Sequence, residues 1–372
     1  MTQPLILHDA FSFSGGGEKV TMSIARKFNG KIITGHIEKS AFPENYFQEI
    51  QVSNLSAHQK YPLYLGVSKT SQLWNAFARI PEQSPPWTIF SGCVSLLGAK
   101  KISGPKLLYC HTPPRLIYDQ KNFYYQTSPP LKRLLLHTFI PFYRKAYQDA
   151  VISMDLIVAN SVNIRNRLKR FVGISATVIY PPCDTVDFSF LGQEDYYLST
   201  ARLCPLKRID LIIDAFSRMP DKKLIITSSG PEEDKLRKAA EPYPNISFTG
   251  YISDDRLQEL MGKCIATVYI PMDEDFGISP VESMAAGKPV IGVQEGGLME
   301  TVIHGETGLL IPANPDHADI IRAVESLSPE KALQMKPACE RRASLFSEKR
   351  FIENMERCIT SVKNGAAKTA AT

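Results

Sequence analysis

Several features that would assign this 372-residue chain to common protein classes are missing from it. Its seven cysteines are odd in number, scattered and without a C-x-x-C pair, which indicates reduced thiols rather than a disulfide framework or a zinc site. No apolar run approaches the roughly 18 residues of a membrane-spanning helix. No basic-then-apolar signal precedes the first strand-like segment, PLILHDA. A net charge of +5 is too small to indicate nucleic acid. We therefore expect a cytoplasmic protein, soluble or peripheral on the cytoplasmic face of an inner membrane.

Length and patterning together predict two α/β domains. The chain is long enough for two cores, and strand-like segments alternate repeatedly with amphipathic helical ones. The Pro181-Pro182 pair and the polar FSFLGQED segment after it mark a hinge. We expect a first domain over residues 1–188 and a second over residues 189–350. Residues 351–372 should then form a helix followed by a disordered tail.

One stretch late in the chain carries the clearest functional signal. The strand-like ATVYIP leads into a loop with Glu274, and a helix then begins near Gly277. The first turn of a helix has unpaired N–H groups and the positive end of the helix dipole, so it binds anions, most often phosphate. Glu282 lies eight positions after Glu274, a turn or more into the helix. Two carboxylates flanking a phosphate site suit a sugar nucleotide, with a hydroxyl-rich sugar on one side and a ribose on the other.

A glycine loop follows the first strand. The segment GGGEKV opens a helix, which is a phosphate-binding arrangement, although a plain helix-starting turn is the structural alternative. It is not a Walker loop, because Lys19 follows a glutamate and precedes neither Ser nor Thr. A dinucleotide fingerprint is nearly present in Gly15-x-Gly17, with Glu38 further on. Val20 replaces its third glycine, so an NAD-dependent enzyme is the weaker interpretation.

The stretch from Pro271 to Leu310 resembles the signature of family 4 retaining glycosyltransferases. The matching positions are Glu274, Phe276, Gly277, Glu282, Ala285, Gly287, Pro289, Val290, Gly296, Gly297, Glu300, Gly305 and Gly308. The resemblance implies the GT-B fold, in which two Rossmann-like, doubly wound α/β domains face each other across a cleft. The first domain would bind the acceptor and the second the nucleotide sugar, and the last helix would cross back onto the first domain.

The same resemblance implies a set of site residues in both domains. His111, in the segment HTPPR, would contact the donor sugar near C6 and act with Glu274, Arg202 and Lys207 as the catalytic set. The implied donor-site residues are Gly16, Gly17, Arg202, Lys207, Tyr251, Ile252, Glu274, Phe276, Gly277, Ile278 and Glu282. In this set Arg202 and Lys207 clamp the diphosphate, and Tyr251 and Ile252 hold the base. Arg115, Tyr118 and Asp119 are weaker candidates for the acceptor side. The structural alternatives are a packed histidine and solvated surface charges.

The implied reaction is transfer of a sugar from a nucleotide diphosphate with retention at the anomeric carbon. The cationic clamp would stabilise the leaving diphosphate, so we expect no obligatory cofactor and no metal. Asp273-Glu274-Asp275 is formally a metal-binding D-x-D motif, but it lies in the strand–loop–helix of the second domain. The HTPPR and GGGEKV contexts resemble bacterial mannosyltransferases that use GDP-mannose and a polyprenyl-diphosphate-linked acceptor to build O-antigen of lipopolysaccharide.

Other functions remain open on the sequence. The donor could be a UDP-sugar carrying glucose, galactose or N-acetylglucosamine. An epimerase or phosphorylase of the same architecture, or a non-catalytic scaffold subunit of a glycan-assembly complex, would share the fold. We expect other glycan-assembly enzymes as possible partners, and no nucleic acid.

A basic and apolar helical pattern, SPPLKRLLLHTFIPFYRKAYQDAVISM, covers residues 128–154 and is expected to break near Pro141. Lys132, Arg133, Arg144 and Lys145 are mixed with its Leu, Phe and Tyr residues. Such a helix either docks on an anionic bilayer or packs normally with a solvated basic face.

Overall fold

The computed structural model describes residues 3–12, 15–42, 44–57, 67–126, 128–183 and 185–365. The chain divides into two compact units, Met1–Pro181 with Phe351–Thr372, and Pro182–Arg350. Cys183 belongs to the second unit, where its N–H donates to the carbonyl of Phe346. The predicted disordered tail lies, from residue 366 onward, outside the described residues.

The first unit is built on a parallel sheet of seven described strands in the order β3-β2-β1-β4-β5-β6-β7. Its strands are β1 Leu5–His8, β2 Lys31–Thr34, β3 Val52–Asn54, β4 Thr88–Ser91, β5 Lys106–Cys110, β6 Leu156–Ala159 and β7 Thr177–Val178. Its helices are α1 Gly16–Phe28, α2 Val67–Ala78, α3 Lys121–Gln126, α4 Pro130–Ile152 and α5 Val162–Val172.

Both faces of this sheet are covered. Leu5 and Leu7 of β1 belong to one buried apolar cluster, whereas Ile6 between them belongs to another. Neighbouring side chains of a strand point to opposite faces, so a strand that is apolar throughout needs a core on each side. The run PLILH satisfies that requirement and marks β1 as a central strand.

The second unit is a parallel sheet of six described strands in the order β10-β9-β8-β11-β12-β13. Its strands are β8 Tyr197–Ser199, β9 Leu224–Thr227, β10 Ile246–Gly250, β11 Thr267–Tyr269, β12 Val290–Val293 and β13 Gly308–Ile311. Its helices are α6 Ile209–Ser217, α7 Glu233–Ala240, α8 Asp254–Lys263, α9 Ile278–Ala285, α10 Leu298–Thr301, α11 His317–Ser326 and α12 Pro329–Ala343. The two sheets confirm the predicted pair of Rossmann-like α/β domains.

The last helix, α13 (Glu348–Lys363), contributes to the core of the first unit. Phe351, Met355 and Ile359 are buried in the same apolar cluster as Ile6. The Phe351 ring meets Tyr109 of β5 edge to face at 5.8 Å between centroids. The chain therefore returns to the first unit after completing the second.

One local expectation is wrong. Helix α4 runs unbroken through Pro141, because Leu136, Ile140, Tyr143 and Tyr147 are buried along one face and hold the helix on both sides of the proline.

None of the helices in the described ranges, α4 included, is both long enough and apolar enough to serve as a membrane-spanning segment.

Candidate active site

The strand order of the second unit identifies where a ligand should bind. From β8 the chain continues to β9 on one side, whereas β11 pairs with the other side of β8. Ligands of open parallel sheets bind at the carboxyl ends of the strands where the order reverses in this way. The loops after β8 and β11 carry Lys207 and Glu274, so both residues lie at this switch point.

Three polar side chains contact one another at that point. The Lys207 ammonium donates to a Glu274 carboxylate oxygen at 2.5 Å and to the Tyr269 hydroxyl at 2.8 Å. The Tyr269 hydroxyl in turn donates to the same carboxylate oxygen at 3.1 Å. The side chains of Lys207 and Glu274 are each about one-fifth exposed. The pair therefore borders solvent, and water screens the attraction between the two charges only in part.

The electrostatics keep Lys207 charged. Burial by itself would lower the pKa of Lys207, but Tyr269 and Glu274 together raise that pKa above its ordinary value. Burial, and after it the Glu274 charge, also raises the pKa of Tyr269, so the phenol stays protonated. The site therefore holds a fixed cation next to a fixed anion, with a neutral hydroxyl bridging them.

Helix α9 begins beside Glu274. Its N-cap is Gly277, which has φ +91° and no side chain to accept from the first-turn N–H groups. A residue with a Cβ would be strained at that φ. Phe276 before it is 2% exposed and packs edge to face on Phe346 at 5.4 Å, which fixes the turn. The helix start thus keeps the features of an anion site, and Ile278 supplies its first helical N–H.

Backbone contacts hold the Glu274 loop from behind. The N–H of Gly297 donates to the carbonyl of Glu274 at 2.8 Å, and that of Met272 donates to Leu206 in the neighbouring loop at 2.7 Å. A Cβ on Gly296 would lie 2.4 Å from the Glu274 carbonyl oxygen, and one on Gly297 would lie 2.3 Å from the Phe276 Cα. The Gly-Gly pair is therefore required for the loop to approach so closely.

The remaining predicted donor residues of this unit lie at different depths. Glu282 is on α9 and is 8% exposed, whereas Arg202 is exposed in the loop after β8. Tyr251 is 78% exposed just after the outermost strand β10, and Ile252 packs partly against the cluster around Leu260. The structure thus brings Lys207, Glu274 and the α9 start together, and it leaves the roles of Arg202, Tyr251, Ile252 and Glu282 as predictions.

The first unit has a second polar cluster at its own switch point, between β1 and β4. The His111 ring follows β5, and its Nε2 lies 2.8 Å from the Ser91 hydroxyl. That hydroxyl lies 2.8 Å from the hydroxyl of Thr21, which donates to the Gly17 carbonyl at 2.9 Å. A Cβ on Gly17 would stand 3.7 Å from the His111 ring, so the predicted histidine and glycine loop do meet. Burial lowers the pKa of His111 to about 3, so the ring is neutral.

Glu18 lies next to the glycine loop, at the third position of α1, and is 7% exposed. Burial, with a smaller effect of Asp9, raises the pKa of Glu18 to about 7.

The Asp9 carboxylate itself accepts from the N–H groups of residues 93–95 at 2.7–3.1 Å and fixes the turn after β4.

The three weaker acceptor candidates are tied into internal contacts. Arg115 lies 3.3 Å from Asp119, and Arg167 lies 3.4 Å from the same carboxylate. Tyr118 stacks on Phe171 with ring centroids 4.8 Å apart. These contacts give each residue a structural role, and their contact with an acceptor stays a prediction.

Sequence reasoning missed Tyr269, Thr21 and Ser91. Tyr269 is the last residue of β11, and Ser91 is the last residue of β4, so both stand at strand ends where ligand sites form. Thr21 lies one helical turn after Gly17. A place at the end of a strand, or one turn after the glycine loop, was the feature of the sequence that could have identified these residues.

Two parallel-sheet α/β units place the chain in the two-domain Rossmann-like fold class. Residues 187–343 match the family described as Glycosyl transferases group 1. This match confirms, for these residues, the predicted resemblance to family 4 glycosyltransferases.

Similar proteins support the same assignment. The chain is 23% identical to human alpha-1,3/1,6-mannosyltransferase ALG2 over 308 residues, which are 73% of this chain and 71% of that protein. It is 26% identical to human GDP-Man:Man(3)GlcNAc(2)-PP-Dol alpha-1,2-mannosyltransferase over 228 residues, 53% of this chain and 46% of that one. Sucrose-phosphate synthase from Thermosynechococcus elongatus superposes with a TM-score of 0.77 at 18% identity, covering 98% of this chain and 100% of that one. The first two are mannosyltransferases, and the third shows the fold.

Proposed function

We propose that this glycosyltransferase is a retaining, metal-independent α-mannosyltransferase that uses GDP-mannose. The observation that carries the proposal is the Lys207–Tyr269–Glu274 set beside the uncapped start of α9. In this reaction the bond between the anomeric carbon and the diphosphate oxygen breaks. A bond from the acceptor oxygen to that carbon forms on the same face. The acceptor's proton passes to the leaving phosphate oxygen.

Lys207 is suited to bind the leaving diphosphate because one of its three ammonium hydrogens is still available for a new hydrogen bond. An ammonium has three hydrogens, and those directed at Glu274 and Tyr269 account for two. The third can be donated to a phosphate oxygen without breaking the other contacts. A charge that is already oriented stabilises developing negative charge without reorganisation. Arg202 and the N–H groups at the start of α9 would share that charge, and so no metal or other cofactor is required.

Glu274 is suited to the sugar. An ionised carboxylate is an acceptor only, with lone pairs on both oxygens. The carboxylate accepts from Lys207 and Tyr269, which orients the group. An oriented carboxylate can accept from sugar hydroxyls as well. Glu282 on the ribose and Tyr251 and Ile252 on the base complete the proposed donor site of the second unit. For Gly16, Gly17 and His111 of the first unit, a role toward the diphosphate and sugar rests on the family resemblance alone.

The choice of GDP-mannose and of a polyprenyl-diphosphate-linked acceptor rests on similarity. Two relatives are mannosyltransferases, and the description of one of them contains both GDP-Man and a PP-Dol-linked glycan. The HTPPR and GGGEKV segments point to bacterial O-antigen synthesis in lipopolysaccharide. A UDP-sugar donor is the second candidate, because the residues around Lys207 recognise a diphosphate and not a base.

Peripheral membrane contact is part of the proposal, because a lipid-linked acceptor lies at a bilayer surface. Leu131, Leu134 and Phe142 of α4 are 64–72% exposed, and Arg133 and Lys145 are exposed near them. Apolar and basic side chains on one helix suit an anionic bilayer interface. Binding to vesicles with and without anionic lipid, by the wild type and Phe142→Ser, tests this part separately.

The experiment for the function is a panel of GDP- and UDP-sugars offered with a lipid-diphosphate-linked glycan. Nucleotide release is measured in EDTA and in Mg²⁺, and the anomeric configuration of the product is determined. We expect release from GDP-mannose in EDTA and an α-linked product. Release from UDP-sugars alone would overturn the donor, strict metal dependence would overturn the clamp, and binding without turnover would favour a scaffold subunit.

A further inference from the structure

The first unit contains a buried chain of hydrogen bonds that ends on His111. It runs from the Gly17 carbonyl through the hydroxyls of Thr21 and Ser91 to Nε2 of His111, with distances of 2.9, 2.8 and 2.8 Å. Thr21 and Ser91 are fully buried. Because the two side chains are buried, each of their hydroxyl groups must be satisfied by neighbouring protein groups. The direction of every proton can therefore be worked out.

The assignment starts from the two carbonyl groups, which can only accept. Nδ1 of His8 lies 2.7 Å from the Ser91 carbonyl, so this nitrogen carries the hydrogen. The Thr21 hydroxyl lies 2.9 Å from the Gly17 carbonyl, so its single hydrogen is directed there. Its oxygen can then only accept, from Ser91 at 2.8 Å and from the Nδ1–H of His8 at 3.1 Å. The single hydrogen of Ser91 is thus used on Thr21.

This leaves one arrangement at His111. Ser91 has no second hydrogen, so its oxygen must accept from Nε2 of His111 at 2.8 Å. We infer that Thr21 and Ser91 are positioning residues that hold neutral His111 in its Nε2–H tautomer, so that Nδ1 is the ring's acceptor for a hydroxyl of the donor sugar. The part about the sugar rests on the proposed function, whereas the tautomer does not.

A fixed tautomer has a chemical consequence. A neutral imidazole has one donor and one acceptor nitrogen, and the partner of one nitrogen sets the role of the other. With Nδ1 as acceptor, the ring recognises a sugar hydroxyl and does not deliver a proton to it. Burial keeps the ring neutral, consistent with the lowered pKa of His111.

The test is ¹⁵N NMR of the ligand-free protein with labelled histidine, in which protonated and unprotonated ring nitrogens have distinct shifts. The His111 signal is assigned by its loss in His111→Gln. We expect Nε2 to be protonated in the wild type. In Thr21→Val, Ser91 loses its acceptor and should donate to Nε2, so the hydrogen of His111 moves to Nδ1. Thr21→Ser keeps the oxygen and should keep the wild-type tautomer.

Protonation of Nδ1 in the wild type, or an unchanged tautomer in Thr21→Val, would overturn the inference. Ser91→Ala is the second route, and it should abolish the preference for Nε2–H. Circular dichroism and thermal melting establish that each variant is folded before its spectrum is interpreted.

Kinetics test the link to the sugar. Thr21→Val should lower kcat/KM for GDP-mannose about tenfold, because His111 loses its hydrogen bond to the C6 hydroxyl of the sugar. The rate with GDP-6-deoxymannose, a donor without that hydroxyl, should be unchanged. An equal loss with both donors would contradict a role toward the C6 hydroxyl. A protein that shows the expected tautomer but no turnover with any sugar nucleotide would refute the proposed function and not the hydrogen-bond chain.

Discussion

The Lys207 ammonium and a Glu274 carboxylate oxygen lie 2.5 Å apart, although the residues are separated by 67 positions in the sequence. They meet because β8 and β11 are neighbours at the point where the strand order reverses. The pair neutralises itself, so the cation that we propose for the diphosphate is held without an uncompensated charge. Each residue orients the other, so the role proposed for Lys207 toward the diphosphate and the role proposed for Glu274 toward the sugar depend on each other.

Replacing Glu274 by Gln should therefore weaken both the contact with the sugar and the position of Lys207. The change removes the charge that holds Lys207, so that the partly buried ammonium keeps only neutral partners. We expect kcat/KM to fall by about 100-fold or more and the free energy of unfolding to fall by about 1–3 kcal/mol. Steady-state kinetics and urea unfolding measure the two effects. Wild-type activity in this variant would mean that the carboxylate does not act on the donor.

Tyr269→Phe is the matched test of the bridging hydroxyl. The ring stays in place, and the direct contact between Lys207 and Glu274 is kept. We expect a loss of about tenfold in kcat/KM and about 1 kcal/mol in stability, the usual effect of a single hydrogen bond. A loss as large as that of Glu274→Gln would show that Tyr269 has a direct role in the reaction.

Gly296→Ala should displace the Glu274 loop. Its Cβ would lie 2.4 Å from the Glu274 carbonyl oxygen, a distance that forces the backbone to move. Gly305→Ala is the control, because Gly305 also has positive φ but nothing in the described part of the chain lies within 4 Å of its Cβ. Both variants should pay about 1 kcal/mol for the backbone conformation. Only Gly296→Ala should also lose nucleotide affinity in calorimetry, and equal affinities would contradict the packing argument.

Glu18 predicts a pH dependence of stability. Its pKa of about 7 in the folded protein is above the ordinary 4.5, so the folded state holds the proton more tightly. The contribution to stability is full below pH 4.5 and is lost as the pH rises through 7. Relative to Glu18→Gln, the wild type should lose about 3 kcal/mol between pH 4.5 and 7.5. Urea unfolding of both proteins at several pH values measures this difference, and a constant difference would contradict a buried, protonated Glu18.

Local and periodic features of the site could be predicted from the sequence. The strand, the loop with Glu274 and the helix after Gly277 follow from an apolar run, polar residues and a glycine in order. The strand–glycine loop–helix at the start of the chain follows in the same way. The resemblance added His111, which the structure finds beside Gly17.

Contacts that depend on the order of strands could not be predicted. The partnership of Lys207 with Glu274 and Tyr269 requires β11 to pair with β8, which no local pattern specifies. For the same reason Ser91 of β4 meets His111, and Thr21 of α1 meets Ser91. The expected break at Pro141 was wrong because the buried face of α4 outweighs the local preference of proline.

The most direct test of the central claim is the rate of GDP release from GDP-mannose in EDTA, with a lipid-diphosphate-linked acceptor, for wild type, Lys207→Met and Lys235→Met. Lys235 is an exposed lysine paired with Glu232 at 3.0 Å, outside the site. We expect the wild type and Lys235→Met to be equally active and Lys207→Met to be slower by about 100-fold or more. Wild-type turnover in Lys207→Met would contradict the claim that this lysine stabilises the leaving diphosphate.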